Sequence, residues 1–267
     1  MDLGLDGAAA AVTGGSKGMG RATAECLAAE GARVAVLARG QGALEETVAA
    51  LRSLGSPDAV GLSVDTTDDS SVAAAFASLD ERWGSLNVLV NTVGAPAGRL
   101  EELSDDDWLE TFNRATLSAV RTVRAALPLM RKAEWARIVN VSAHSTRRQS
   151  PLIVAYTAAK SALTSFSKNL SKSLAPEGIL VNTVSPGTFV TASFTERLRP
   201  VLEERGLDPA DPHDVMTWIR EVYGQPADLG RAGRPEEIAA VITFLASRLN
   251  SYTTGADINV DGGSDFV

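Results

Sequence analysis

The fold predicted for this chain is a doubly wound parallel α/β sheet in a single three-layer αβα domain spanning residues 1–267, and three observations predict it. Short apolar runs alternate with longer segments of helical period, which is the signature of βαβ units. The runs are apolar almost throughout, and such strands are buried on both faces of a sheet. The first run ends in a glycine-rich turn, Thr13-Gly14-Gly15-Ser16-Lys17-Gly18-Met19-Gly20, which leads straight into an alanine-rich helical segment.

In chain order, the strands are expected at 8–13, 33–38, 59–64, 86–91, 137–142, 179–184 and 257–260, each a short apolar run bounded by glycine or polar residues. Helices are expected near 19–30, 42–54, 69–83, 104–131, 154–175 and 235–247, where apolar residues recur at helical spacing. No linker divides the chain. The stretch 192–230 is too long for a simple connection and mixes charges with Phe194, Leu198, Leu202, Met216, Trp218 and Tyr223. Long insertions of this kind are commonly lids or mobile loops over a site.

At 267 residues and 45% apolar content the chain can bury a substantial core. Its net charge of -8 opposes nucleic acid and anionic membrane surfaces. Cys26 is the only cysteine, so no intrachain disulfide can form, which fits a reducing, cytoplasmic setting. His144 and His213 lie far apart, and no metal-ligand cluster is visible. The start, Met-Asp-Leu-Gly-Leu-Asp, lacks a basic region, and the run 8–13 is too short for a signal core or a membrane span.

A glycine-rich turn between a first strand and a helix lets backbone N–H groups approach a pyrophosphate at the positive helix end, although glycine clusters also serve ordinary tight turns. The spacing is Gly-x-x-x-Gly-x-Gly. Farther along, Tyr156 and Lys160 stand one helical turn apart in Ala-Tyr-Thr-Ala-Ala-Lys, so they share a face. An ammonium beside a phenol favours the phenolate, and the expectation is a tyrosine pKa lowered from about 10 toward working pH. The plain alternative is a half-buried tyrosine beside a solvated lysine.

With these motifs together, the chain resembles the short-chain dehydrogenase/reductase family in its single-domain form, over nearly the whole sequence. The family's Thr-Gly-x-x-x-Gly-x-Gly is present at Thr13 to Gly20, its Tyr-x-x-x-Lys at Tyr156 to Lys160, and its Pro-Gly at Pro186-Gly187. Asn91-Thr-Val-Gly94 stands in place of Asn-Asn-Ala-Gly, Asn113 lies in the fourth helical region, and Ile-Asn-Val-Asp-Gly-Gly closes the chain. The resemblance implies a Rossmann-type dinucleotide site. Gly14, Ser16, Lys17, Gly18, Met19 and Gly20 would hold the phosphates. Asp65 and Thr66 would border the adenine, Asn91 and Gly94 the ribose region, and Pro186, Gly187 and Thr191 the nicotinamide. Thr191 could equally be a helix N-cap, and Asp65 or Asp68 could cap the third helix.

The cofactor's identity depends on the end of the second strand. An acid there would bind the 2'-hydroxyl of NAD, and a base would accept the 2'-phosphate of NADP. Ala38 occupies the acid's slot, Arg39 follows it, and Lys17 matches the second basic position. Either cation could be merely solvated, but two cations and no acid point to NADP(H), with NAD(H) as the alternative.

By resemblance, Tyr156 exchanges a proton with the substrate oxygen, Lys160 lowers its pKa and binds the nicotinamide ribose, and Asn113 holds a water of the proton relay. The family's carbonyl-binding serine falls, by spacing, on Ala143, within Asn140-Val-Ser142-Ala-His-Ser145. Strand alternation turns Ser142 away from the site unless the register shifts by one, whereas Ser145 could face it. Three possibilities stay open: Ser142 by a shifted register, Ser145 as a substitute, or no serine and a weaker site. Arg147 and Arg148 could border the substrate entrance and suit a carboxylate or phosphate, or could simply be solvated. The segment from Phe194 to Tyr223 is expected to close over the nicotinamide with apolar side chains, or else to form a satellite core of its own.

The functional expectation is an NADP(H)-dependent oxidoreductase that interconverts a secondary alcohol and a ketone. By resemblance it acts as a cytoplasmic homotetramer on a small-molecule substrate, with no nucleic-acid or membrane partner. The rival from another class is a nucleotide-binding regulatory or scaffold protein, with Ala143 as the mark of weakened chemistry.

Overall fold

The computed structural model describes residues 2–264. Seven strands form one parallel sheet: β1 (Ala9–Thr13), β2 (Arg33–Ala38), β3 (Ala59–Ser63), β4 (Val88–Asn91), β5 (Ala136–Val141), β6 (Ile179–Pro186) and β7 (Asp257–Val260). Their spatial order is β3-β2-β1-β4-β5-β6-β7, so the chain reverses its direction of travel across the sheet between β1 and β4. In open parallel sheets, ligands bind at the carboxyl ends of the strands beside that switch point. Here those ends carry Thr13 and Asn91, paired in register.

Alternate side chains of each strand enter two separate cores. Ala10, Val12, Val34, Val36, Val88, Val90 and Val139 pack with Leu27 and Ala28 of α1 (Gly18–Ala29), Leu44 of α2 (Gln41–Ser53) and Ile238 and Ile242 of α9 (Pro235–Ala246). On the other face, Ala9, Ala11, Ala35, Leu37, Leu89 and Ile138 pack with Phe76 of α3 (Asp69–Trp83), Met130 of α5 (Ser118–Met130) and Leu174 of α6 (Val154–Leu174). Burial on both faces is the reason these strands read as continuous apolar runs. Each fully buried Leu or Phe contributes about 2 kcal/mol of transfer free energy.

Two segments differ from the sequence expectation. The expected helix over 104–131 is divided: α4 (Asp105–Phe112) passes into a π-helical turn at Asn113–Leu117 before α5 begins. The Ser118 N–H bonds back to the Asn113 carbonyl, five residues earlier, in place of the usual four. The stretch 192–230 contains two helices, α7 (Ala192–Glu204) and α8 (Pro212–Tyr223), with an apolar cluster of their own made by Leu198, Leu202, Val215, Met216 and Trp218. Thr191 caps α7 by accepting from Phe194 N, and Asp211 caps α8 by accepting from His213 N. Among the described residues no helix is long and apolar enough to cross a membrane, and no group of acids, histidines and cysteine could hold a metal.

Candidate active site

The glycine turn follows β1 directly. Gly14 adopts φ +65°, and a Cβ at Gly20 would lie 2.5 Å from the Gly14 carbonyl oxygen and 2.5 Å from Thr92 Oγ1. The first turn of α1 therefore sits against the strand end with no room for a side chain. Thr92 occupies that contact; its hydroxyl donates to the Thr13 carbonyl at 2.6 Å. A helix start behind such a turn leaves its first backbone N–H groups without intrahelical partners, which is how a phosphate cradle is built. Thr191 stands over the same turn, 3.3 Å from where a Cβ of Gly18 would be, so its capping role and its place beside the turn coexist.

Below the cleft lies a closed polar network. Asn91 Oδ1 accepts from Thr13 (3.2 Å) and Thr122 (2.8 Å), while its amide donates to Asn140 Oδ1 at 2.9 Å. Asn140 in turn donates to Ser167 of α6 at 2.9 Å. The Asn91 side chain, expected near the ribose, is thus spent on joining β1, β4, β5, α5 and α6.

Tyr156 and Lys160 lie one turn apart on α6, with the lysine Nζ 5.9 Å from the centre of the tyrosine ring. Lys160 is 2% exposed, and its ammonium donates to the carbonyls of Val141 (2.7 Å) and Val93 (3.3 Å), at the ends of β5 and β4. Burial holds its pKa down at about 8. The tyrosine departs from the sequence expectation: burial pushes its phenol up to about 12, and only the charge of Arg197 acts to lower it. At 5.9 Å the lysine interacts with the ring face without a hydrogen bond to the hydroxyl, so desolvation of the phenolate dominates.

The π-turn places Asn113. Thr116, within that turn, donates to the Ala159 carbonyl at 2.7 Å and so pins it to α6 one residue from Lys160. Asn113 Oδ1 is buried and has no hydrogen-bond partner among the described residues. An orphaned buried acceptor carries a desolvation cost of about 1–3 kcal/mol, so it marks a place where a donor belongs.

Beyond β5, Ala143 lies where the spacing puts the oxygen-binding serine, and its methyl group lines the cleft. The Ser142 hydroxyl turns to α6, sharing a 2.7 Å bond with Thr164 and donating to the Lys160 carbonyl at 3.2 Å, so no register shift brings it round. Ser145 does line the cleft; it is 2% exposed and its oxygen accepts from Thr157 at 3.2 Å. With that acceptor position filled, the Ser145 proton can be directed outward.

The cofactor-selective positions lie at the ends of β2 and β3. Arg39 and Lys17 are exposed, and Asp65 shares their edge. Asp68, not Asp65, caps α3, accepting from Ser70 N at 2.9 Å. The Asp65 carboxylate accepts from the Thr67 hydroxyl (2.7 Å) and N–H (2.9 Å), which together with the nearby Arg39 charge holds its pKa low. Thr66 is buried beside it. Ser16 is buried in the glycine turn, and its carbonyl accepts from Thr47 of α2 at 3.4 Å.

The cleft has a volume of about 290 Å³ and runs from Met19 and Gly94 past Ala143, Ser145 and Tyr156 to Pro186, Gly187 and Thr191. Its roof comes from α7 and α8 through Phe194, Ile219 and Tyr223, while Leu198, Leu202 and Trp218 stay in the satellite cluster. The segment thus lines the cleft and also buries a satellite cluster of its own, with Phe194, Ile219 and Tyr223 shared between the two. Arg147 and Arg148 do not line the cleft. Arg148 donates to the carbonyls of Ser264 and, at 3.3 Å, Gly224, and Arg147 to the Asp257 carbonyl at 3.2 Å, so they tie the loop after β5 to the end of α8 and to β7. The cleft's cation is Arg197, which sequence reasoning missed. The available signal was its i, i+3 spacing from Phe194 on a helix capped by Thr191.

The residues fit a dinucleotide: the Gly14–Gly20 cradle excludes side chains, the end of β2 carries Ala38 and Arg39 where an acid could stand, and Asn113 presents an unpaired acceptor. Comparison with known proteins agrees. A family model described as Enoyl-(Acyl carrier protein) reductase matches residues 14–265. The 3-oxoacyl-acyl-carrier-protein reductase FabG of Vibrio harveyi is 32% identical over 266 residues, covering 99% of this chain and 100% of the relative. Among solved structures, L-sorbose reductase from Gluconobacter frateurii, complexed with NADPH and L-sorbose, superposes with a TM-score of 0.92 at 28% identity, covering 100% of both chains. An NADPH-bound short-chain oxidoreductase from Pseudomonas aeruginosa PAO1, described as containing an atypical catalytic center, superposes with a TM-score of 0.85 at 31% identity and covers 97% of both chains.

Proposed function

Because the chain belongs to the short-chain dehydrogenase/reductase family and is an NAD(P)-dependent oxidoreductase acting on CH–OH or carbonyl groups, we propose that it reduces a ketone to a secondary alcohol with NADPH. The observation that carries this reading is the Tyr156–Lys160 pair on α6, with Tyr156 lining the same cleft as Met19 of the glycine turn and the unpaired Asn113 oxygen in the neighbouring π-turn. A phenol pushed up to about 12 is protonated at neutral pH, so Tyr156 can start as a proton donor. When bound, the nicotinamide supplies the hydride.

Every other role falls to the chain's own atoms. The Tyr156 hydroxyl gives its proton to the substrate oxygen, and the Arg197 charge favours the phenolate that this creates. Lys160 uses two of its three donors on Val93 and Val141, which leaves one for a ribose hydroxyl or a water. Asn113 Oδ1 can accept from the water that returns a proton to this pair. Ser145 takes the place of the serine missing at position 143 and donates to the carbonyl oxygen. The Gly14–Gly20 turn would hold the phosphates and Thr191 and the Pro186-Gly187 segment the nicotinamide, and α7 and α8 act as the lid. Family resemblance and the lone Cys26 support a cytoplasmic homotetramer, for which sedimentation should give a particle of four 27.9 kDa subunits.

Ser145→Ala is expected to lower ketone turnover about 10²-fold, the scale for losing one donor to a developing oxyanion. Ser142→Ala should cost only stability, about 1 kcal/mol for its buried hydrogen bonds, with turnover retained. Equal turnover in wild type and Ser145→Ala would remove Ser145 from the reaction.

The cofactor preference rests on Arg39 and Lys17 at an edge with Ala38 where an acid would otherwise stand. A charge-assisted contact to a phosphate contributes about 1.5–3 kcal/mol, so Arg39→Asp should reduce the ratio of kcat/KM for NADPH over NADH by at least about tenfold. An unchanged ratio would return the preference to NAD(H).

A further inference from the structure

Among the described residues, Arg197 of α7 is the one Lys, Arg, Asp or Glu that lines the cleft. No Asp or Glu among the described residues lines the cleft, although the chain carries a net charge of -8 and neighbouring arginines of the same segment do pair with acids. Two residues away, Arg199 pairs with Glu203 at 3.1 Å, and Arg205 pairs with Glu221 at 2.7 Å. Arg197 makes no ion pair or hydrogen bond among the described residues. Arg197 is exposed on α7, and its guanidinium carbon lies 5.8 Å from the centre of the Phe194 ring, a cation–π contact that leaves its N–H donors without a hydrogen-bond partner among the described residues. It lines the same cleft as Tyr156, and its charge acts on the Tyr156 hydroxyl.

We propose that the substrate is an oxo acid: a ketone bearing a carboxylate that Arg197 receives in a bidentate pair while the carbonyl oxygen meets Tyr156 and Ser145. The carbon skeleton between the two polar ends lies against Ile153, Phe194, Ile219 and Tyr223, which suits an aryl or alkyl spacer better than a polyol. Arg197 is then the specificity-determining residue, because an uncharged ketone of the same shape leaves its guanidinium unmatched. The inference rests on the reductase reading above and adds the class of substrate to it.

The test uses 4-oxo-4-phenylbutanoate and its methyl ester, which differ only in the charge, with NADPH. In wild type the acid should have the higher kcat/KM. Arg197→Gln should lower the acid-to-ester ratio of kcat/KM by about tenfold or more, chiefly through the KM of the acid, and Arg197→Lys should restore part of it. A ratio that stays within twofold in Arg197→Gln overturns the inference and leaves the reductase reading intact. Equilibrium binding of the unreactive 4-phenylbutanoate separates the two readings. Binding that weakens about tenfold in Arg197→Gln and falls with added KCl supports the carboxylate site even if wild type reduces neither probe, an outcome that would count against the reductase reading alone. Equal binding in both proteins overturns the carboxylate site.

Discussion

Tyr156→Phe is expected to lower NADPH-dependent ketone reduction by about 10²–10⁴-fold, the contribution of a positioned general acid. The change removes one hydroxyl from a half-buried ring and leaves the ring against Lys160 and the Ala143 wall, so the fold and NADPH affinity should be retained. Steady-state turnover and fluorescence titration of NADPH, measured on the same preparation, check the two halves of this result. Equal and negligible turnover in wild type and Tyr156→Phe, with NADPH still bound, would favour a nucleotide-binding scaffold in which Ala143 records lost chemistry.

Lys160→Met should abolish measurable turnover and also change how stability depends on pH. The ammonium is buried, and its pKa is about 8 in the folded chain against 10.5 when unfolded. Between those values the unfolded chain binds more protons, so stability must rise with pH across that window. Below pH 8 the full penalty of burying the charge is present, at most about 3 kcal/mol on the measure of 1.36 kcal/mol per pKa unit. Tyr156 acts with the opposite sign in a higher window, because its folded pKa of about 12 exceeds the ordinary 10, so its contribution is lost between those values. Urea midpoints from pH 7 to 10 should therefore climb in wild type and stay flat in Lys160→Met. A rise of the same size in the variant would assign it to another group. The variant also leaves the Val93 and Val141 carbonyls without their donor, so its stability at pH 10 should fall below that of wild type.

Much of the sheet could be read from residue patterns because each strand is buried on both faces, and such strands are short apolar runs that few other elements imitate. The ends were legible as well where a turn or cap is encoded locally, as at Gly14–Gly20 and Asp68. What could not be read depended on contacts between distant segments. The π-turn at Asn113 has no local code; it is fixed by Thr116 reaching the Ala159 carbonyl, forty-three residues away. The phenol's raised pKa follows from how deeply α6 is covered, and spacing alone says nothing of that. Arg148 looked like a substrate ligand because two adjacent arginines are a pattern, but its partners at Gly224 and Ser264 are backbone carbonyls supplied by the fold. Arg197 escaped notice for the converse reason: a lone arginine in a charged segment acquires meaning only when α7 sets it at the wall of the cleft.

The amide network beneath the cleft has a consequence for how such a site can change. Thr13, Asn91, Thr122, Asn140 and Ser167 satisfy one another across three strands and two helices, so a slip of any strand by one residue would strand buried amides without partners. The floor beneath the glycine turn and the Tyr156–Lys160 pair is therefore locked as a unit. The roof is not: α7 and α8 bury their own small cluster and meet the rest through a few tethers. Substitutions at Phe194, Arg197, Ile219 or Tyr223 can reshape what is admitted without disturbing the machinery below. In a protein so divided, selectivity can drift quickly while the chemistry is inherited almost unaltered.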